Sequence, residues 1–188
     1  MARKTLDQML ANLLTAFPDN NTKFITPLVL RTYFDDLIKA LRPSYAWLVR
    51  QAPVPPGQLV TVAPVRLVFT ADELTFAQGE YSAAFATGRI TRLDAGVCQF
   101  NFTADVSSPS NSTRLLTFTL YKNGVATPFR QSQTFSTAGE VLSVSFGAIQ
   151  SSSLPADYDM YVQSSVNETF TFSEMVFLAQ TLPANSPV

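Results

Sequence analysis

Histidine is absent from all 188 residues. That absence removes every Ser-His-Asp and Cys-His catalytic arrangement, every His-ligated zinc site and the commonest general base. Cysteine occurs once, as Cys98, so the chain has neither an internal disulfide nor a cysteine cluster for a metal. Charge is scarce as well: Asp, Glu, Lys and Arg make up 14% of the chain, against roughly 25% in an average soluble protein. With a net charge of −1 and no long basic run, the sequence lacks the footprint of a nucleic-acid binder. Apolar runs end after a few residues, far short of the ~20 needed for a membrane-spanning helix, so no membrane insertion is expected. The N-terminus opens with Arg3 and Lys4, but Asp7, Gln8 and Asn12 interrupt any signal-peptide core. The expectation is synthesis in a reducing cytoplasm, with no cofactor.

Glycine is missing from the first 56 residues, and all seven glycines fall at Gly57 or later. The segment Ala52-Pro53-Val54-Pro55-Pro56-Gly57 cannot continue a helix and favours an extended spacer. It divides the chain into residues 1–51, a helical attachment or trimerisation segment; 52–57, a linker; 58–183, a β-sandwich; and 184–188, a tail.

In the first part, Leu6, Met9, Leu10, Leu13, Leu14 and Phe17 recur at steps of three and four, the stripe of an amphipathic helix. A second helix starts at the Thr26 cap with Pro27 at its first position. Its Leu30, Phe34, Leu37 and Leu41 have the spacing of a coiled-coil seam, which packs either on copies of itself or on the first helix. Tyr45 and Trp47 follow, either as an anchor that docks on a partner or as a cap on the local helical core.

The second part alternates with period two. Cys98, Phe100, Phe102, Ala104 and Val106 share one face, as do Leu116, Phe118 and Leu120, and Leu142, Val144, Phe146 and Ala148. Phe170, Phe172, Val176 and Leu178 share a parity on which Glu174 intrudes, which points to a bulge or a subunit edge. Asn123-Gly124 is a hairpin turn, since both residues tolerate positive φ. About eight strands with turns every 8–12 residues make an antiparallel sandwich or jelly roll.

The run from Gly96-Val97-Cys98-Gln99-Phe100 through Leu120-Tyr121-Lys122-Asn123-Gly124 and Pro155-Ala156-Asp157-Tyr158 to Thr171-Phe172-Ser173-Glu174 resembles complement globular-head and tumour-necrosis-factor-like jelly rolls. The versions in tailed-bacteriophage structural proteins are the most similar. Ala156 stands where those domains carry glycine. Phe17-Pro18-Asp19-Asn20-Asn21-Thr22-Lys23-Phe24-Ile25-Thr26-Pro27 resembles a segment near the start of phage fibre and decoration proteins, with Lys23 in place of glycine. The resemblance implies a mainly β fold, an antiparallel jelly-roll sandwich preceded by a short N-terminal α-helical segment. It also implies a homotrimer packed through aromatic faces, and 12 of the 15 phenylalanines lie after residue 57, more than one core obviously needs. The function implied is that of a non-enzymatic virion protein, a head fibre, capsid decoration or tail fibre, with other virion proteins and a host-surface glycan as partners.

Other residues carry two readings each. Asp157 and Asp159 share a strand face and either bind Ca²⁺ or stand solvated beside a turn. Cys98 lies on the inward parity and is expected to be an inert buried thiol. The Ser-rich tips at 107–113 and 150–153 are glycan contacts or ordinary loop tips. A monomeric carbohydrate-binding sandwich is the alternative function, and a secreted tumour-necrosis-factor-like ligand a third, disfavoured by the missing export signal and disulfides.

Overall fold

The computed structural model describes residues 44–50, 57–69 and 74–182, with Thr32, Phe34 and Leu37 in helical conformation. The expected first helix, Leu30 and Leu41 of the seam, the linker residues 52–56 and the tail lie outside the described residues. Phe34, a seam residue, is 55% exposed.

Among the described residues, twelve strands follow in chain order: β1 Tyr45–Arg50, β2 Gln58–Val60, β3 Val65–Arg66, β4 Leu74–Gln78, β5 Tyr81–Ala84, β6 Arg89–Arg92, β7 Gly96–Ser107, β8 Arg114–Lys122, β9 Val125–Phe135, β10 Val141–Ser152, β11 Ala156–Ser164 and β12 Glu168–Thr181. The first sheet runs β10-β7-β12-β1-β4 with β2 against β12. The second runs β5-β6-β11-β8-β9 with β3 against β11. Every pairing is antiparallel.

The pairings are nested. β1 pairs with β12, β6 with β11, β7 with β10 and β8 with β9, so one long folded hairpin wraps into two facing sheets. That wrapping is a jelly roll. Its innermost turn is Asn123-Gly124, at φ 51° and 77°, the positive values a two-residue hairpin demands.

The alternation read from the sequence becomes the core. Phe100, Phe102, Phe118, Phe135, Phe170, Phe172 and Phe177 are buried between the sheets with Tyr158, Met160 and Leu120. Phe69 joins them, so eight of the twelve phenylalanines after residue 57 belong to this one core. The surplus of phenylalanine is therefore no sign of an interface. Each such ring contributes about 1.5–3 kcal/mol on burial, enough together to offset much of the ordering entropy.

Two corrections concern strand assignment. Tyr45–Arg50 belongs to the sandwich and not to the helical segment, because its alternation buries Ala46 and Leu48 completely while it pairs with both β12 and β4. The sandwich thus begins before residue 51. In β12 the register shifts between Ser173 and Val176, and Glu174 adopts φ 48°. The bulge keeps the Glu174 carboxylate in solvent and moves the buried set to Met175, Phe177 and Ala179. Val176 and Leu178 therefore face outward, half-buried, and not into the core with Phe170 and Phe172.

Candidate interaction surface

β1 turns one face of its alternation, half-buried, to the outside of the first sheet: Tyr45, Trp47 and Val49. Register places Phe76 of β4 beside Trp47 on one side and Leu178 of β12 on the other, with Val176 beside Val49. The rings of Tyr45, Trp47 and Phe76 approach one another with centroids 5.2–5.4 Å apart, within the range of favourable aromatic pairing. Phe76 is 39% exposed. One half of this outer face is thus an apolar patch of six residues.

The other half is polar. Beyond Leu178 and Val176 the same rows continue into Asn101 and Thr103 of β7, then Gly147 and Ser145 of β10. Gln180 donates to Gln99 at 3.1 Å across that boundary. The sequence placed Tyr45 and Trp47 as an anchor after a helix. The structure places them half-buried on the outer face of a strand and adds Phe76, Val176 and Leu178, which no local pattern marked.

On the outer face of the second sheet stands an ion-pair network. Arg89 of β6 lies between Asp157 and Asp159 of β11. Its Nη1 donates to Asp157 at 2.8 Å, and its Nε and Nη2 donate to the two oxygens of Asp159 at 3.1 and 3.2 Å. The Asp159 hydrogen bond is the largest cause raising the Arg89 pKa above its ordinary value. Thr91 donates to Asp157 at 2.7 Å, and Arg66 Nε stands 3.7 Å from Asp159. The two aspartates do share a face as expected, but Asp159 is fully buried, while Asp157 is about one third exposed and held by Arg89 and Thr91. Their oxygens are committed to arginine and threonine, not to a cation, and no metal-sized cluster of His, Cys, Asp and Glu occurs among the described residues. Beside them Tyr121 stacks on Tyr161 at 3.9 Å, and Arg66 covers the Tyr161 ring at 5.7 Å.

A third polar cluster closes one end of the sandwich. Arg92 is buried with Glu80, its Nη2 3.3 Å from the carboxylate, and its Nε donates to the Asp94 carbonyl at 2.8 Å. Thr181 donates to Glu80 at 3.1 Å, and the Glu80 N–H donates to Ser44 Oγ at 2.7 Å. Gly96, at φ 137°, leaves the space the Arg92 guanidinium fills, since a Cβ there would collide with Nη2. The cluster ties the start of β1, the turn before β5, the turn after β6 and the end of β12 together. Burial pushes the nearby Tyr81 and Tyr158 hydroxyls well above the ordinary tyrosine pKa. Cys98 is buried with its Sγ 3.4 Å from the Gln150 carbonyl, in keeping with an inert thiol.

No family model and no curated protein sequence matches the chain. Among solved structures it is similar to the globular domain of zebrafish complement 1qA protein. That similarity has 14% identity and a TM-score of 0.49, and covers 75% of this chain and 98% of that one. The strand order, not that likeness, establishes the jelly roll.

Proposed function

We propose that the chain is a non-enzymatic structural protein of a bacteriophage virion, a homotrimeric fibre or decoration protein. Its N-terminal segment attaches it to other virion proteins, and its jelly-roll head is turned toward the host surface. The observation that carries the reading is the apolar patch of Tyr45, Trp47, Val49, Phe76, Val176 and Leu178 on one outer face. Trp and Tyr, here half-buried on the outer face of a sheet, are the residue types that dominate protein–protein affinity, and a contiguous apolar patch rimmed by Gln and Asn marks an interaction site.

The position of the patch suits self-association. Leu41, the last seam residue, precedes Tyr45, the first patch residue, by four positions, a span of roughly 14 Å at most. A coiled-coil seam and the patch then act at the same end of β1, and copies that pack through one bring the other together. The exposed ring of Phe34 supports the same reading. The resemblance of residues 17–27 to phage fibre and decoration proteins supplies the virion assignment.

Light scattering on the full chain at low micromolar concentration tests the assembly. The expected mass is three times 20.6 kDa, and Trp47→Glu is expected to give folded monomers. Banding of phage particles on a density gradient tests the location, with the protein expected in the particle band. A monomeric wild-type chain with saturable glycan affinity would favour the carbohydrate-binding sandwich instead.

A further inference from the structure

The sandwich leaves four principal strand edges, and three of them are blunted. β4 has five residues and β5 four, too short to template much pairing. β9 is long, but it carries Pro128 and Arg130, and its register against β8 slips from Thr119↔Arg130 to Tyr121↔Ala126, so extra residues bulge from the edge. The fourth edge has none of these devices. β10 runs twelve residues, pairs with β7 in unbroken register from Val141↔Ser107 to Ser152↔Gly96, and contains no charge and no proline. Among the described residues, β7 is its one strand partner. Val141 and Ile149 are 59% and 55% exposed on its outer face.

A long, straight, uncharged edge presents a row of free N–H and C=O groups and is a ready template for another strand. We propose that this edge pairs with β10 of a second copy of this chain, antiparallel, about a two-fold axis at Ser145. The sequence of β10 is self-complementary in that register. Val141 meets the second copy's Ile149, a β-branched cross-strand pair. Ser143 meets Gly147, so nothing bulky collides on the outer face. On the inner face Leu142 meets Ala148 and Val144 meets Phe146. Leu142 and Phe146 are only half-buried against the core, and the second strand covers their open sides. β10 itself carries no charge, and the Lys122 ammonium that donates to the Ser151 carbonyl at 2.8 Å lies beyond the paired stretch 141–149. A heterologous extended peptide satisfies the same backbone groups, but the β-branched pair Val141–Ile149 and the large-against-small pair Leu142–Ala148 on either side of Ser145 favour a second copy.

This inference stands apart from the trimer, because the apolar patch lies toward β4, at the opposite edge of the same sheet. Both contacts together would join trimers in pairs through two-fold axes.

Ser145→Cys tests it directly. Directly opposed residues of an antiparallel pair have α-carbons roughly 4.5–5.5 Å apart, which is within disulfide range. Cys98 is buried and does not compete. Under mild oxidation the full-length variant is expected to form a covalent dimer in high yield, while Ser112→Cys on an exposed loop gives only background. Ser145→Lys places two ammonium groups face to face at the axis and is expected to weaken pairing about tenfold or more. In light scattering the wild-type mass rises with concentration above that of the dilute species, and the Ser145→Lys mass does not. Cross-linking no greater than in the Ser112→Cys control, or a concentration dependence unchanged by Ser145→Lys, overturns the proposal. So does cross-linking of Ser145→Cys to other proteins only. The dilute mass is read separately, so a failure here leaves the trimer standing, and the reverse also holds.

Discussion

Removing Arg89 should cost more than removing either carboxylate it holds. Asp159 has no exposed side-chain surface, and its two oxygens receive Nε and Nη2 of Arg89. In Arg89→Ala the nearest remaining cation is Arg66, at 3.7 Å, leaving an under-compensated carboxylate inside the protein. Breaking a buried pair from the arginine side costs about 3–5 kcal/mol. The reverse truncation is milder, because Arg89 is about one third exposed and keeps Asp157 at 2.8 Å. Asp159→Asn is thus expected near ~2 kcal/mol and Asp157→Ala near ~1 kcal/mol, the range of a partly exposed pair. Urea unfolding at neutral pH and one fixed protein concentration measures all three, with the concentration held because association shifts apparent stability. In melting temperature, Arg89→Ala corresponds to a loss of about 6–20 °C. An Arg89→Ala variant within ~1 kcal/mol of wild type, or less destabilised than Asp157→Ala, would refute this account of the network.

Further expectations follow from the same geometry. Burial raises the folded-state pKa of Tyr81 and Tyr158 above the ordinary tyrosine value of 10.0. Their contribution is complete below pH ~10 and is lost as pH climbs further and the unfolded state ionises, so Tyr158→Phe should flatten the alkaline limb of a pH–stability curve. Glu174 sits at positive φ without being glycine. Glu174→Gly should stabilise by ~0.5 kcal/mol and Glu174→Val destabilise by ~1–2 kcal/mol, and equal effects in urea unfolding would show that the backbone there is not strained. Millimolar Ca²⁺ or a chelator should leave the melting temperature unchanged, since Arg89 and Thr91 already occupy Asp157 and Asp159. A rise of several degrees with Ca²⁺ would reverse that assignment.

The long strands were legible because they are half-buried on one face and long enough to show period two. β7, β8 and β10 follow the alternation, β12 follows it up to its bulge, and the Asn123-Gly124 turn follows from positive φ. Glu174 also announced its bulge, since a carboxylate on a core parity is tolerated only where the strand breaks step. What the bulge does downstream was not legible: one extra residue swaps the faces, so Val176 and Leu178 look like core in the sequence and stand outside in the fold. β1 was hidden for another reason. Six residues after a helix-ending proline carry too little periodicity, and only pairing with the far-off β12 and β4 makes Tyr45–Arg50 a strand. β4 and β6 are shorter still. The apolar patch is assembled from three segments more than a hundred residues apart at the extremes, and no local window contains it. Asp157 and Asp159 read as Ca²⁺ ligands or solvated carboxylates because the residue that binds both, Arg89, is supplied by cross-strand register.

The central claim is that the outward patch of β4, β1 and β12 holds three copies together, and the absolute mass of the chain in dilute solution tests it most directly. Light scattering at low micromolar concentration should give three times 20.6 kDa for wild type, and 20.6 kDa for Trp47→Glu with its β-sheet circular dichroism intact. A wild-type mass of 20.6 kDa, or a trimer that survives Trp47→Glu unchanged, would contradict it.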